Sequence, residues 1–153
     1  MTWKCALLMG SPSDQPELEK ALPYFEYFGL QVDLKIMSAH RNPQEVTAFA
    51  TTAREEGYQA IIAAAGMAAH LAGVIASHTT LPVLGVPLAG SAFNGLDALL
   101  STVQMPAGIP VATFAVGAAG ARNAAIFLAE MISVSDPAMA ERLEQFRRQG
   151  ARL

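Results

Sequence analysis

The chain predicts an α/β fold: a three-layer, doubly wound domain with a parallel sheet between two layers of helices. Segments of strand length alternate with helical patterns along the whole sequence, as βαβ connections require. The inner strand segments are apolar at every position instead of at every second one, the mark of strands covered on both faces. At 153 residues the chain has the size of one ordinary domain with a core of its own, so residues 1–153 are expected to form a single domain.

The elements follow in order. Trp3–Met9 reads as the first strand and Gly10-Ser11-Pro12-Ser13-Asp14 as a loop. A helix is expected over Gln15–Phe28, with Leu18, Leu22, Phe25 and Phe28 at helical spacing and Gly29 as its stop. Gln31–Met37 alternates Val32, Leu34 and Ile36 with Asp33 and Lys35, which suits a strand at the sheet edge. After the loop Ser38-Ala39-His40-Arg41-Asn42-Pro43, a helix is expected to run to Glu56 and stop at Gly57. Asn42 as N-cap, Pro43 at the first helical position and Glu45 three residues after the cap mark its start. Ala60–Ala65, Val83–Val86 and Val111–Val116 are the remaining strands. Helices are expected at Ala68–Ala76, Gly95–Thr102 and Ala121–Ile132. A C-terminal helix begins at Asp136-Pro137 and runs to about Gln149. The pattern points to a flavodoxin-like arrangement. Such folds bind ligands at the carboxyl ends of their strands, near the switch in strand order, here Gly10–Asp14, Ser38–Pro43, Ala65–His70 and Pro87–Asn94.

Hydrophobic residues make up 52% of the chain and charged ones 15%, against about 25% charged in an ordinary soluble domain. From Tyr58 to Ala121 the only charged side chain is Asp97. A membrane-spanning helix needs about 20 consecutive apolar residues. Gly66, His70, Gly73, Ser77-His78-Thr79-Thr80, Pro82, Pro87 and Gly90 interrupt this stretch, so no membrane association is expected. The N-terminus has no signal-peptide pattern, and the expected compartment is the cytoplasm. A net charge of −3 and a pI of about 5.5 offer no basic footprint for nucleic acid. The single Cys5 excludes a disulfide framework and reads as a small buried hydrophobe. Asp97 either caps a helix or pairs across a subunit contact.

Two loops carry candidate chemistry. In Gly10–Asp14, a glycine turn, two hydroxyls and free N–H groups at a helix start suit a phosphate ester. The alternative is local: Ser13 or Asp14 caps the helix and Glu17 closes a capping box. The glycine spacings of a Walker A or Rossmann loop are absent. In Ser38–Pro43, Arg41 can grip phosphate or carboxylate bidentately. His40, beside a positive helix end, leans toward its neutral form and can act as a base; a solvated loop with an incidental His-Arg pair is the alternative. His70 falls within a predicted alanine-rich helix, where a hydrogen-bonded packing role is the simplest reading, and His78 is expected at the surface. Three histidines without an acidic cluster give no metal site, and no Gly-x-Ser-x-Gly elbow is present.

At these residues the sequence resembles the class I N5-carboxyaminoimidazole ribonucleotide mutases of purine biosynthesis, the phosphoribosylaminoimidazole carboxylase catalytic subunit family. The family's G-S-x-S-D is met by Gly10-Ser11-Pro12-Ser13-Asp14, and its S-A-H-R-x-P by Ser38-Ala39-His40-Arg41-Asn42-Pro43. Ala68-Ala69-His70-Leu71, Pro82–Pro87, Val103–Val111 and Ala119–Ala125 continue the match in order along the chain. The resemblance implies transfer of the substrate carboxylate from the exocyclic nitrogen to ring carbon C4, through CO2 released and recaptured in the pocket, with no metal or organic cofactor. It implies that His40 is the general acid and base. Ser11, Ser13, Ser38 and Arg41 would hold the phosphate, and Asp14 would accept hydrogen bonds from the ribose hydroxyls. Ala65, Gly66 and Leu71 would line the base and CO2, and His70 would support that wall without transferring a proton. Met67 stands where the family has glycine, and Ala72 where it has proline. The class II carboxylases, which attach free CO2 to aminoimidazole ribonucleotide, have Lys in place of Arg41 and lack His70. A catalytically silent nucleotide-binding module is the third reading. The resemblance also implies a homo-octamer, in which the nearly charge-free Tyr58–Ala121 stretch is buried between copies.

Overall fold

The apolar segments pair as parallel strands in the computed structural model, which describes residues 2–153. Lys4–Met9 (β1), Gln31–Ile36 (β2), Ala60–Gly66 (β3), Val83–Leu88 (β4) and Ala112–Thr113 (β5) form one sheet in the order β2-β1-β3-β4-β5, with every pairing parallel. This is the flavodoxin-like order, and its switch point lies between β1 and β3. The helices are Gln15–Leu18 (α1), Leu22–Phe28 (α2), Pro43–Thr52 (α3), Leu71–His78 (α4), Leu96–Val103 (α5), Ala118–Ser133 (α6) and Pro137–Arg148 (α7). Among the described residues no helix is long and apolar enough to cross a membrane.

The pleat of β1 divides the interior into two cores. Cys5, Leu7 and Met9 pack with Phe25, Phe28, Leu128 and Phe146, so α2, α6 and α7 cover one face. Ala6 and Leu8 pack with Val46, Phe49, Leu71 and Ile75, which places α3 and α4 on the other. Helix α5 joins this second layer by crossing β4 at Gly85, where a Cβ would stand 2.6 Å from Thr102 Cγ2 and 2.8 Å from Val111 Cγ1. Only glycine admits that approach. Strand β2 lies at the sheet edge, as its alternation predicts, but the exposed side is the apolar one: Leu34 and Ile36 are exposed while Asp33 and Lys35 are half-buried.

Several boundaries differ from the sequence reading. The helix expected over Gln15–Phe28 is two short helices joined by a 3-10 turn at Glu19–Ala21; Pro23, without an N–H, cannot continue an unbroken ladder. Strand β5 holds two residues instead of Val111–Val116. The Phe114 N–H still reaches the Gly85 carbonyl at 2.9 Å, but the reciprocal bond requires an N–H at position 87, and Pro87 has none. Helix α4 begins at Leu71, not Ala68, so His70 lies at the mouth of the helix and not within it. At α3, Asn42 occupies the N-cap position but its side chain makes no cap hydrogen bond.

Candidate functional site

Three loops meet at the carboxyl ends of β1, β2 and β3, beside the switch point. The first, residues 10–14, is held to β3 by Gly10 N–H donating to the Ala64 carbonyl at 3.2 Å. Ser11 caps the 3-10 turn Pro12–Asp14, and Asp14, not Glu17, closes the capping box; Asp14 also stands at the N-cap position of α1, but its side chain makes no cap hydrogen bond there. Ser11 Oγ and Ser13 Oγ are 2.8 Å apart. The Ser11 N–H donates to Asp14 Oδ2 at 3.2 Å. Burial pushes the Asp14 carboxyl above its ordinary value, against the opposing effect of the Ser11 hydrogen bond. No cation pairs with it among the described residues.

Glu17, read as a local cap, has another task. Its Oε1 accepts the Ala118 N–H at 3.0 Å across 101 residues of sequence. It thereby satisfies a free donor at the start of α6 and ties the first loop's helix to it. The Lys20 ammonium, 2.6 Å from Oε2, and the Ala118 bond hold its carboxyl below the usual range.

The second loop closes on itself: Ser38 Oγ accepts the Arg41 N–H at 3.1 Å, and the Asn42 N–H donates to the Ser38 carbonyl at 2.8 Å. His40 and Arg41 are exposed at its tip. None of the ion pairs among the described residues involves Arg41, which leaves its guanidinium available to an anion.

In the third loop Ala65 and Gly66 end β3 half-buried. Met67 takes a left-handed conformation, φ +56, with its side chain 66% exposed. His70 sits at the N-cap position of α4, and its Nδ1 lies 2.8 Å from His40 Nε2 with the rings edge to face at 4.9 Å. The two histidines, 30 residues apart in sequence, are thus in direct hydrogen-bonding contact. Leu71 is different: its side chain is 2% exposed, in the core with Ala6, Leu8 and Ile75, so only its main chain can face a ligand. His78 is exposed. Asp97 Oδ1 accepts the Ser91 hydroxyl at 2.8 Å, a bond within the chain that closes the loop after β4.

Sequence reasoning missed Ser101 on α5. Its Oγ accepts the Ala69 N–H at 2.9 Å and donates to the Asp97 carbonyl at 2.7 Å, so it anchors the third loop to the helix below. No local signal announces a partner 32 residues away. A hollow of about 450 Å³ beside β5, lined by Leu81, Pro82, Ile109, Phe127 and their neighbours, contains none of these groups. Its walls carry no titratable side chain.

The arrangement offers an exposed histidine pair, a free guanidinium, two adjacent hydroxyls and a half-buried carboxylate on one rim of the sheet. A family profile described as AIR carboxylase matches residues 4–152. The N5-carboxyaminoimidazole ribonucleotide mutase of Brucella melitensis is 49% identical over 97% of this chain and 91% of its own length. That of Pyrococcus abyssi is 49% identical over 94% of this chain and 82% of its own. The crystal structure of Treponema denticola PurE matches with a TM-score of 0.84 and 26% identity, over 97% of this chain and 91% of that one. By sequence over nearly its whole length, and by fold, the chain belongs to the AIR carboxylase family.

Proposed function

We propose that this chain is an N5-carboxyaminoimidazole ribonucleotide mutase, an isomerase of purine biosynthesis, with residues 1–153 acting as one catalytic domain. The relatives at 49% identity carry that name, and the observation that carries the site assignment is the His40–His70 contact beside Arg41. The carbamate C–N bond breaks as His40 protonates the departing exocyclic nitrogen, giving CO2 and the free amine. Ring carbon C4 then attacks the retained CO2, forming the C–C bond. His40 takes the proton that C4 loses, and the catalyst is restored with no net change in protons. Ser11, Ser13, Ser38 and Arg41 bind the phosphate, Asp14 accepts from the ribose hydroxyls, and the apolar wall from Ala64 to Leu71 keeps water from the CO2.

Arg41 and His70 favour this reading over direct carboxylation, since the carboxylases have Lys at the first position and lack the second. The test supplies the carbamate substrate in bicarbonate-poor buffer to the unmodified protein and to His40→Asn. Turnover independent of added bicarbonate and lost in His40→Asn is expected. Dependence on bicarbonate would favour the carboxylase, and binding without turnover a silent module. Arg41→Ala is expected to weaken substrate binding by about 1.5–3 kcal/mol, the scale of a charge-assisted hydrogen bond.

The protein is further proposed to be cytoplasmic and to assemble as a homo-octamer. Phe93, Leu96, Leu100 and Val103 stand exposed on and before α5, within the stretch that has almost no charge, and burial between copies would account for both. Eight chains of 16.1 kDa would weigh about 130 kDa by light scattering; a monomeric mass would refute the assembly.

A further inference from the structure

The contact between His40 and His70 limits which nitrogen can work. Two neutral imidazoles can share the 2.8 Å contact from His40 Nε2 to His70 Nδ1 in only two ways. If His40 donates, both rings carry their remaining proton on Nε2, the intrinsically preferred form of a histidine side chain. If His70 donates, both carry it on Nδ1, the less favoured form. The first arrangement also survives protonation of His40, because the Nδ1 lone pair of His70 accepts equally from an imidazolium. One bond therefore fixes one nitrogen of His40 in both of its charge states.

His70 is held so that it can do this. Ala69, immediately before it, is 2% exposed. The Ala69 N–H donates to Ser101 Oγ at 2.9 Å, and its carbonyl faces Thr102 Oγ1 at 3.4 Å. Ser101 and Thr102 in turn donate to the Asp97 and Ala98 carbonyls of α5, each at 2.7 Å. The main chain before His70 is clamped to α5, and α4 begins directly after it.

We propose that His70 is a positioning residue that pins the Nε2 proton of His40, so that Nδ1 of His40 is the nitrogen that gives and takes the proton during the reaction. This rests on the acid–base role proposed above for His40. The Nδ1 proton goes to the carbamate nitrogen as the C–N bond breaks. Nδ1 then stands bare until it receives the proton from C4, and the Nε2–H stays on His70 throughout.

The test is magic-angle-spinning NMR of the assembled protein with 15N-labelled histidine, assigned with His70→Asn and His78→Gln. In neutral rings a protonated Nε2 and a bare Nδ1 are expected on both His40 and His70. A protonated Nδ1 on His40, or shifts averaged between tautomers, would overturn the proposal. His70→Phe, which removes the acceptor, is expected to lower kcat by about 10- to 100-fold, the scale found for outer partners that orient a metal-bound histidine, with KM little changed. His70→Asn, whose Oδ1 can stand where Nδ1 stood, is expected to restore most of that loss. Equal rates in the two variants would overturn the proposal. Ser101→Ala is expected to bring averaged His40 shifts. Absence of turnover in the unmodified protein would fall on the proposed mutase activity, while the nitrogen shifts, read without substrate, still decide which nitrogen is pinned.

Discussion

Replacing Asp14 with Asn separates what this carboxylate does for the ligand from what it does for the fold. Its Oδ2 accepts the Ser11 N–H at 3.2 Å, an acceptor that an amide oxygen can reproduce, so the capping box survives the substitution. The Ser11 hydrogen bond offsets only part of the cost of burying the charge: burial still raises the carboxyl above its usual range, and no cation pairs with it among the described residues. Because ionisation is harder in the folded state than in the unfolded one, stability falls as pH rises from the ordinary aspartate range through the raised folded value, and then levels off. Asp14→Asn does not titrate, so relative to the natural chain it should gain stability over that window and be at least as stable at pH 7. Binding should move the other way. An ionised acceptor shared by two ribose hydroxyls contributes about 1.5–3 kcal/mol beyond a neutral one, or roughly 10- to 150-fold in Kd. Urea melts at pH 4 and pH 7, with calorimetric titration of the ribonucleotide product, measure the two effects. Unchanged affinity would refute the ribose role, and a variant less stable at pH 7 than the natural chain would refute the account of the buried charge.

Glu17→Ala should cost about 0.5–2 kcal/mol by leaving the Ala118 N–H without its cap. Since the Glu17 carboxyl is held below its usual range, that contribution is present above the ordinary glutamate range and lost as acid protonates the group. The difference between the two chains in urea should shrink on acidification, and a loss independent of pH would refute the capping account. Met67→Gly should stabilise by about 0.5–1 kcal/mol, since a left-handed residue costs about 1–2 kcal/mol and glycine's extra unfolded-state freedom takes back part of it. Almost no packing is lost, with the side chain 66% exposed; a lower urea midpoint would contradict this. Burial pushes the Cys5 thiol up to about 12, so a disulfide reagent at pH 8 should leave the native protein unmodified and titrate one thiol after unfolding. Gly85→Ala should destabilise by about 1–3 kcal/mol through overpacking against Thr102 and Val111; a neutral thermal melt would refute the close-approach argument.

Much of the molecule is legible in the residue order. Apolar runs such as Ala60–Ala65 become inner strands because a run of strand length that is apolar at every position leaves water when helices cover both faces of the sheet. Gly29, at φ +67, and Asp136, whose Oδ1 accepts from Ala138 N–H at 3.0 Å, bound helices where the sequence places them, because a left-handed stop and a side-chain cap are encoded within a few residues. The loops bearing Ser11, Ser13, Asp14, Ser38, His40 and Arg41 are legible for the same reason: each follows a strand and precedes a helix.

What the tertiary structure alone decides is which of those local signals find partners elsewhere. Glu17 reads as a capping residue for its own helix and instead caps α6. Val111–Val116 reads as a full strand and is cut short because its neighbour across the ladder is Pro87. His70 reads as a residue inside a helix and instead opens one, facing His40 from a loop clamped by Ser101. Each outcome depends on groups between about 25 and 100 residues away, and hydrophobic periodicity carries no information about them. Sequence determines which segments can form elements because that choice rests on local backbone and burial energies. The pairing of His40 with His70 is decided only when the sheet order brings the ends of β2 and β3 to the same rim on either side of β1.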